Sequence, residues 1–204
     1  MEKIKSLVLT AGILALLVGC TFTVPINPNP AAYYSVDKID LDVGLLIDDS
    51  QIRQVHSQSG FCLLGVAHTW NFQTGMALRI AAEQIFKKMF TKVELLSSAS
   101  EFQNKPLTLL ITPKITRFNV SQDITAELLL YCKLIDQNGK VVYERTIPAK
   151  GSSQALTAYF GGVFVGKQTL SQTSTEAFNR AFEFLAKDIK EKVDFSVYLK
   201  EKKP

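Results

Sequence analysis

The sequence predicts an α+β fold: a two-layer sandwich whose mainly antiparallel sheet carries two long helices packed on one face. Three observations lead there. Stretches rich in β-branched and aromatic residues alternate with period two, two other segments switch to a helical period, and an Asn-Gly pair separates two strand-like runs. With the short run at Lys92 to Leu96 left uncounted, the order is β-β-α-β-β-β-α, and the apolar stripes of the two helices are buried by one face of the sheet.

The first strand is expected over Leu41 to Asp48, where Val43, Leu45 and Ile47 share one parity. Phe61 to Phe72 follows as a second apolar stretch with Val66 and Trp70, after the turn-prone Ser57 to Gly60. From Thr74 to Thr91, Leu78, Ala81, Ala82, Ile85 and Met89 recur on one side of a helix, while Arg79, Glu83, Lys87 and Lys88 take the others. Lys92 to Leu96 reads as a short strand and Ser97 to Lys105 as a polar connection. Leu107 to Val120, Ile124 to Ile135 and Lys140 to Ala149 form a meander, its second turn at Asn138-Gly139 predicted as type I′ because both residues tolerate positive φ. The last helix is placed at Ser174 to Val193, opened by a capping box of Thr173 and Glu176. Phe178, Ala181, Phe182, Leu185, Ile189 and Val193 make its core stripe.

The chain starts with Lys3 and Lys5, continues through an uncharged apolar stretch from Leu7 to Val18, and reaches a small residue, Gly19, before Cys20. These are the regions of a secretory leader. At about 1.5 Å per residue the stretch reaches roughly 18 Å, short of a hydrocarbon core of about 30 Å. The tetrapeptide Leu17-Val18-Gly19-Cys20 resembles a bacterial lipobox. The resemblance implies cleavage before Cys20, diacylglycerol on its sulfur and a further acyl chain on its amine, so that the protein is anchored rather than spanning. By the same resemblance, an aspartate after the cysteine would favour inner-membrane retention, so Thr21 implies the outer membrane, with the protein facing the periplasm.

Four segments result: 1–19 as signal peptide, 20–38 as lipidated cysteine and Pro-rich tether, 39–195 as a single α+β domain, and 196–204 as a basic tail. Pro25, Pro28 and Pro30 favour extended chain in the tether. Removal of residues 1–19 leaves 185 of the 204 residues, material for one core, and takes Glu2, Lys3 and Lys5 with it, so the net charge falls from +4 to +3. So mild a charge gives no nucleic-acid footprint. Lys87, Lys88 and Lys92, with Lys187, Lys190, Lys192, Lys200, Lys202 and Lys203, read as a solvated helix face and a frayed tail, with contact to anionic lipid headgroups as the alternative.

Cys62 and Cys132 sit among apolar neighbours and read either as two reduced core thiols or as one disulfide. With His56 and His68 the only histidines, no metal-ligand spacing appears, and no cofactor is expected. Catalysis needs a nucleophile beside a base, paired carboxylates or a ligand cluster, and the pattern holds none. Asp48, Asp49, Ser50 and His56 read as turn chemistry rather than a hydrolase site. Gly161 and Gly166-Lys167 have the spacing of a phosphate loop, but Gln168 stands where the metal-binding hydroxyl belongs. Tyr159, Phe160, Val163, Phe164 and Val165 are expected as an apolar flap that either touches lipid or a protein partner or folds back over the core.

Three segments then carry a family resemblance: Thr74-Gly75-Met76-Ala77-Leu78-Arg79 leading to Ile85, Leu109-Leu110-Ile111-Thr112-Pro113, and Ile135-Asp136-Gln137-Asn138-Gly139-Lys140-Val141-Val142. With the lipobox and the element order, the chain resembles the YajG-type and ABC-transport-auxiliary lipoproteins, distantly LptE-like, over residues 40 to 193. The resemblance implies a non-enzymatic envelope protein. Its partners would be transport or assembly proteins of the envelope, the membrane through the lipid anchor, and lipid or lipopolysaccharide as cargo. An oligomeric, pore-forming subunit akin to curli-secretion lipoproteins is the alternative, and a hydrolase using Ser50 and His56 a third.

Overall fold

Strict alternation along Ala126–Asp136 sets the plane of the molecule: Ala126, Leu128, Leu130, Cys132 and Leu134 are buried and the residues between them half-buried. The computed structural model describes residues 20–32, 34, 37–61, 68–153 and 155–200, with backbone alone for 155–164 and 200. Its strands are β1 (Thr21–Val24), β2 (Ile39–Leu46), β3 (His56–Ser59), β4 (Thr69–Phe72), β5 (Phe90–Leu96), β6 (Leu109–Val120), β7 (Ala126–Asp136) and β8 (Val141–Lys150). Its helices are α1 (Asp49–Ile52), α2 (Thr74–Met89), α3 (Ala99–Gln103), α4 (Ala155–Lys192) and α5 (Ser196–Lys200), with a 3₁₀ turn at Pro30–Ala32.

The two-layer α+β architecture holds. Helices α2 and α4 bury the expected stripes on one face of a five-stranded sheet of order β5-β2-β6-β7-β8. Leu78, Ala81, Ala82 and Ile85 from α2 and Phe178, Phe182, Leu185 and Ile189 from α4 are fully buried in one cluster with Leu128, Leu130 and Leu134.

The sheet is more mixed than expected. Only β6-β7-β8 is antiparallel, whereas β2 runs parallel to both neighbours, β5 and β6. The cause is two crossovers, since a chain that returns to the starting end of a sheet pairs parallel. Helix α2 makes the first crossover. The second runs from β5 to β6 over the opposite face, where the expected polar connection contains α3 and a small second core of Leu96, Phe102, Leu107 and Leu110. Gly44 sits under it, at a point where a β-carbon would meet Leu96 Cδ1 at 2.6 Å.

A second, three-stranded sheet of order β1-β4-β3 adds two strands that periodicity does not reveal. It adjoins the far end of β6. There β2 has already ended, leaving the edge of β6 with unpaired backbone groups, and two glutamines satisfy some of them. Gln51 Oε1 accepts from Ile115 N at 3.1 Å, while the Gln58 amide both accepts from Val120 N at 3.0 Å and donates to Val120 O at 2.5 Å. Replacing Gln58 by Ala is expected to cost about 1–3 kcal/mol, because both Val120 groups lose their partner; chemical denaturation measures it, and a loss below about 0.5 kcal/mol contradicts this role.

Four further expectations are corrected. The last helix begins at Ala155, 38 residues long, and the capping-box residues lie inside it. Thr173 Oγ1 instead accepts from Ala126 N at 3.0 Å and Glu176 Oε2 from Ser152 N at 2.8 Å, so both are consumed tying α4 to the sheet. The Asn138-Gly139 turn is not type I′: Gly139 alone has positive φ, 77°, and Asp136 Oδ1 accepts from Asn138 N and Lys140 N, both at 2.9 Å. This is the three-residue loop with a left-handed glycine. Residues 196–200 of the expected tail form α5, and residues 201–204 lie outside the described residues. The segment 20–38, expected as a free tether, contributes β1 and buries Val24, Ile26 and Tyr34.

Candidate functional site: the Cys20 end of the small sheet

Cys20 is exposed and immediately precedes β1. Its carbonyl already belongs to the sheet, accepting from Thr69 N at 3.1 Å, and the parallel pairing continues from Thr21↔Thr69 to Val24↔Phe72. On the inner face Phe22 stacks on fully buried Trp70, with ring centroids 5.0 Å apart and planes at 27°. The His68 ring meets Phe22 edge-on at 5.3 Å. Such aromatic pairs add about 0.5–1.5 kcal/mol beyond their buried area. The outer face presents Thr21, Thr23, Thr69 and Asn71, short polar side chains.

After β1 the chain stays extended through Pro25 and Pro28, against α4 rather than in solvent, until Pro30 opens the 3₁₀ turn. Ser171 Oγ donates to Pro25 O at 2.6 Å, Asn27 N donates to Thr175 Oγ1 at 3.2 Å, and Asn29 N donates to Asn179 Oδ1 at 2.7 Å. The spacing is commensurate: two extended residues advance about 6.6 Å and four helical residues about 6 Å. Pro28 and Pro30 lack an N–H and leave alternate positions free of donors, so residues 27 and 29 supply the backbone donors to the helix while Pro25 offers its carbonyl. The ribbon therefore runs along α4 with Cys20 at one end.

Of the residues expected in the apolar flap, Tyr159, Phe160, Val163 and Phe164 have side chains outside the described residues, and their backbone is helical. Val165 is half-buried, and its carbonyl accepts from the Thr169 hydroxyl at 2.7 Å. The expected flap is thus the first turns of α4. No helix among the described residues is long and apolar enough to cross a membrane. The same helix contains Gly161 to Gln168, where backbone N–H groups are bonded internally, so the phosphate-loop geometry of strand, glycine turn and helix start is not formed.

Ser50 lies exposed on α1, and no hydrogen bond joins it, Asp48 or Asp49 to His56 among the described residues. His56 packs instead on Phe118 at 5.3 Å and Phe72 at 6.2 Å. Burial depresses its basicity, against the opposing effect of Gln58. Cys132 is a free thiol, fully buried under the helices, and burial pushes its pKa up; Cys62 lies outside the described residues. A cleft of about 200 Å³ opens beyond the carboxyl ends of parallel β2 and β5, lined by Leu45, Ile47, Ile52, Arg79 and Leu95. The Arg79 guanidinium there is held by Glu83 at 2.9 Å. Ligand pockets are commonly about 300–1,000 Å³, so this one is small.

The sequence reading missed a buried carboxylate, Asp188. It accepts from the Tyr143 hydroxyl at 2.7 Å, Arg145 at 2.7 Å and Lys192 at 2.9 Å, fastening α4 to β8. Burial works to raise its pKa, but Tyr143, Lys192 and Arg145 outweigh that and hold it below the ordinary range. Charge on an otherwise apolar helix stripe, at Asp188 beside Ile189, was the available signal.

No protein-family description matches the chain, and no curated protein is similar to it. Among solved structures, it is similar to the hypothetical protein CT253 from Chlamydia trachomatis, at 13% identity and a TM-score of 0.44, over 74% of this chain and 97% of that one. It is also similar to the PelC dodecamer from Paraburkholderia phytofirmans, at 15% identity and a TM-score of 0.42, over 81% of this chain and 94% of that one.

Proposed function

We propose that this chain is a lipid-anchored envelope protein, held at the outer membrane and facing the periplasm, that acts without catalysis as an auxiliary subunit of a complex transporting lipid or lipopolysaccharide or assembling the outer membrane. One observation carries the reading. The lipobox cysteine is exposed and immediately precedes β1, its carbonyl bonded into the small sheet. Two or three acyl chains give stable membrane residence, at about 0.8 kcal/mol per buried methylene. With no slack between the anchor and β1, the small sheet rests on the bilayer and the β7-β8 hairpin points away from it. That hairpin is ten residues along β7 from Ala126, about 34 Å at roughly 3.4 Å per residue.

Orientation gives a direct readout. A spin label at Ser59, paired with Thr69 beside the anchor, is expected to relax strongly against paramagnetic lipid headgroups, whereas one at Asn138 is not. Equal relaxation at both sites contradicts a rigid anchor. The adaptor role is tested by crosslinking in native cells with a Cys20→Ser control. Transport or assembly components captured by the anchored form and lost in the control support it, and self-crosslinks alone favour an oligomeric subunit. That alternative gains little from the β8 edge of the large sheet. The outer edge of β8 carries Pro148, Glu144, Arg145 and Lys150, which oppose addition of a further strand.

A further inference from the structure

The antiparallel half of the large sheet has one face under helices and the other open. On the open face lie Lys114 and Arg117 of β6 and Lys133 of β7, and none of the three pairs with a carboxylate among the described residues. Two carboxylates share the face, Glu127 opposite Lys150 and Glu144 opposite Lys133, so with Lys150 it presents four cations against two anions. Glu127 holds Lys150 at 2.5 Å, and Glu144 accepts from the Tyr131 hydroxyl at 2.6 Å. The other four arginines, Arg53, Arg79, Arg145 and Arg180, are each paired with a carboxylate, which sets Arg117 apart.

Register brings the three charges together. Lys114 is opposite Tyr131 and Arg117 opposite Leu129, while Lys133, two residues along β7, is the diagonal neighbour of Lys114 at about 7–8 Å. Leu129 and Pro148 are opposite each other and, with Tyr131, form an apolar ridge among the cations. A crease there, beside Arg117, Glu127, Leu129 and Pro148, holds about 90 Å³, far below a small-molecule pocket. A flat, cationic face with an aromatic centre fits another surface: aromatic residues and arginine are the residue types enriched in protein interfaces.

We propose that the open face of β6-β7-β8, centred on Tyr131, docks an acidic surface of a partner protein, with Lys114, Arg117 and Lys133 supplying the complementary charge. The proposal rests on the adaptor reading and adds which face does the docking and what chemistry it recognises. A protein is favoured over anionic lipid because, with Cys20 at the bilayer, this face is a side wall of the domain and the bilayer meets the small sheet.

The test places a photocrosslinking amino acid at Thr146, exposed and opposite Tyr131, in the full anchored chain in its native cells, with a second probe at exposed Phe184 on α4. The expected result is a discrete protein adduct at Thr146 whose partner peptide is rich in Asp and Glu. Its yield is expected to fall about ten-fold in the Lys114→Gln, Arg117→Gln, Lys133→Gln variant, as three exposed ion pairs at about 0.5 kcal/mol each imply. Should that variant not accumulate, the wild-type adduct is expected to fall comparably between 0.1 M and 1 M salt, as the screening length drops from about 10 Å to about 3 Å. A Thr146 adduct that is lipid or lipopolysaccharide, that maps to a non-acidic peptide, or that is insensitive to both charge and salt overturns the proposal. Capture at Phe184 but not Thr146 overturns the face and leaves the adaptor reading standing; capture at neither overturns both.

Discussion

Replacing Asp188 by Ala is expected to lower the unfolding temperature of the unanchored domain (Cys20→Ser, residues 1–19 removed) by about 10 °C. The carboxylate is 5% exposed and is the shared acceptor for Tyr143, Arg145 and Lys192. Alanine leaves the Tyr143 hydroxyl without its acceptor in a residue only 6% exposed, and strips two cations of their counter-ion. An unpaired buried hydroxyl costs about 1–3 kcal/mol and each half-exposed ion pair up to about 1 kcal/mol, and a domain of this size loses about 2–4 °C per kcal/mol. Asn at the same position retains a carbonyl acceptor for Tyr143 and is expected to cost less than Ala. Burial, then Asp188 itself, pushes the Tyr143 hydroxyl up, so it stays protonated and remains a donor throughout the neutral range. The pH dependence follows from the depressed Asp188 pKa. Its contribution is complete above the unfolded value of about 3.9 and is lost as pH falls through the lower folded value. Wild type is therefore expected to lose stability below about pH 4 more steeply than Asp188→Asn. Parallel acid curves for the two would contradict this assignment.

Gly151→Ala is expected to cost about 3 kcal/mol, at the upper end for overpacking, because the added carbon meets backbone. At this junction Gly151 N donates to Ala126 O at 2.9 Å, and a β-carbon there would lie 2.0 Å from Thr173 O and 2.4 Å from Thr173 Oγ1. Helix α4 can retreat only by giving up the Ala126 N to Thr173 Oγ1 bond. Thr173→Val removes that bond alone and leaves a buried N–H unpaired, for about 1–3 kcal/mol. Since both changes break one junction, the double variant is expected to lose less than the sum of the singles. Additive losses in chemical denaturation would show that the two contacts are independent.

The elements legible in the sequence are those whose local pattern and tertiary role coincide. Strand β7 alternates along its whole length because one face meets helices and the other does not, and the stripes of α2 and the second half of α4 are buried as their period requires. The misread elements are those where a tertiary partner claims a local signal. Thr173 and Glu176 have the spacing of a helix start, yet their side chains serve Ala126 and Ser152, while the glycine-rich 155–172 reads poorly as helix and is helical. Ile124 reads as the first residue of a strand and instead takes φ of 56° in the β6-β7 turn, an unusual conformation for a β-branched residue, with its side chain fully buried. Pro25 and Pro28 correctly signal extended chain, whereas Pro30 opens the 3₁₀ turn, and composition says nothing of the hydroxyl and amide groups on α4 that bind the segment.

The same division runs through the candidate site. Cys20 is legible as a pattern in the leader, whereas its place flush against β1 depends on a pairing with Thr69, 49 positions further on, that no local signal announces. The cations of the open face are visible singly in the sequence. Only the register of β6 on β7, with its bulge between Ile115 and Arg117, places Lys114, Arg117 and Lys133 around Tyr131.

The most direct measurement is the intact mass of the protein extracted from native membranes, with fragmentation of its N-terminus. The account predicts a chain beginning at Cys20 and carrying the mass of diacylglycerol on sulfur, with or without a further acyl chain on the amine. A chain that retains Met1, or one cut elsewhere and bearing no lipid, would contradict it.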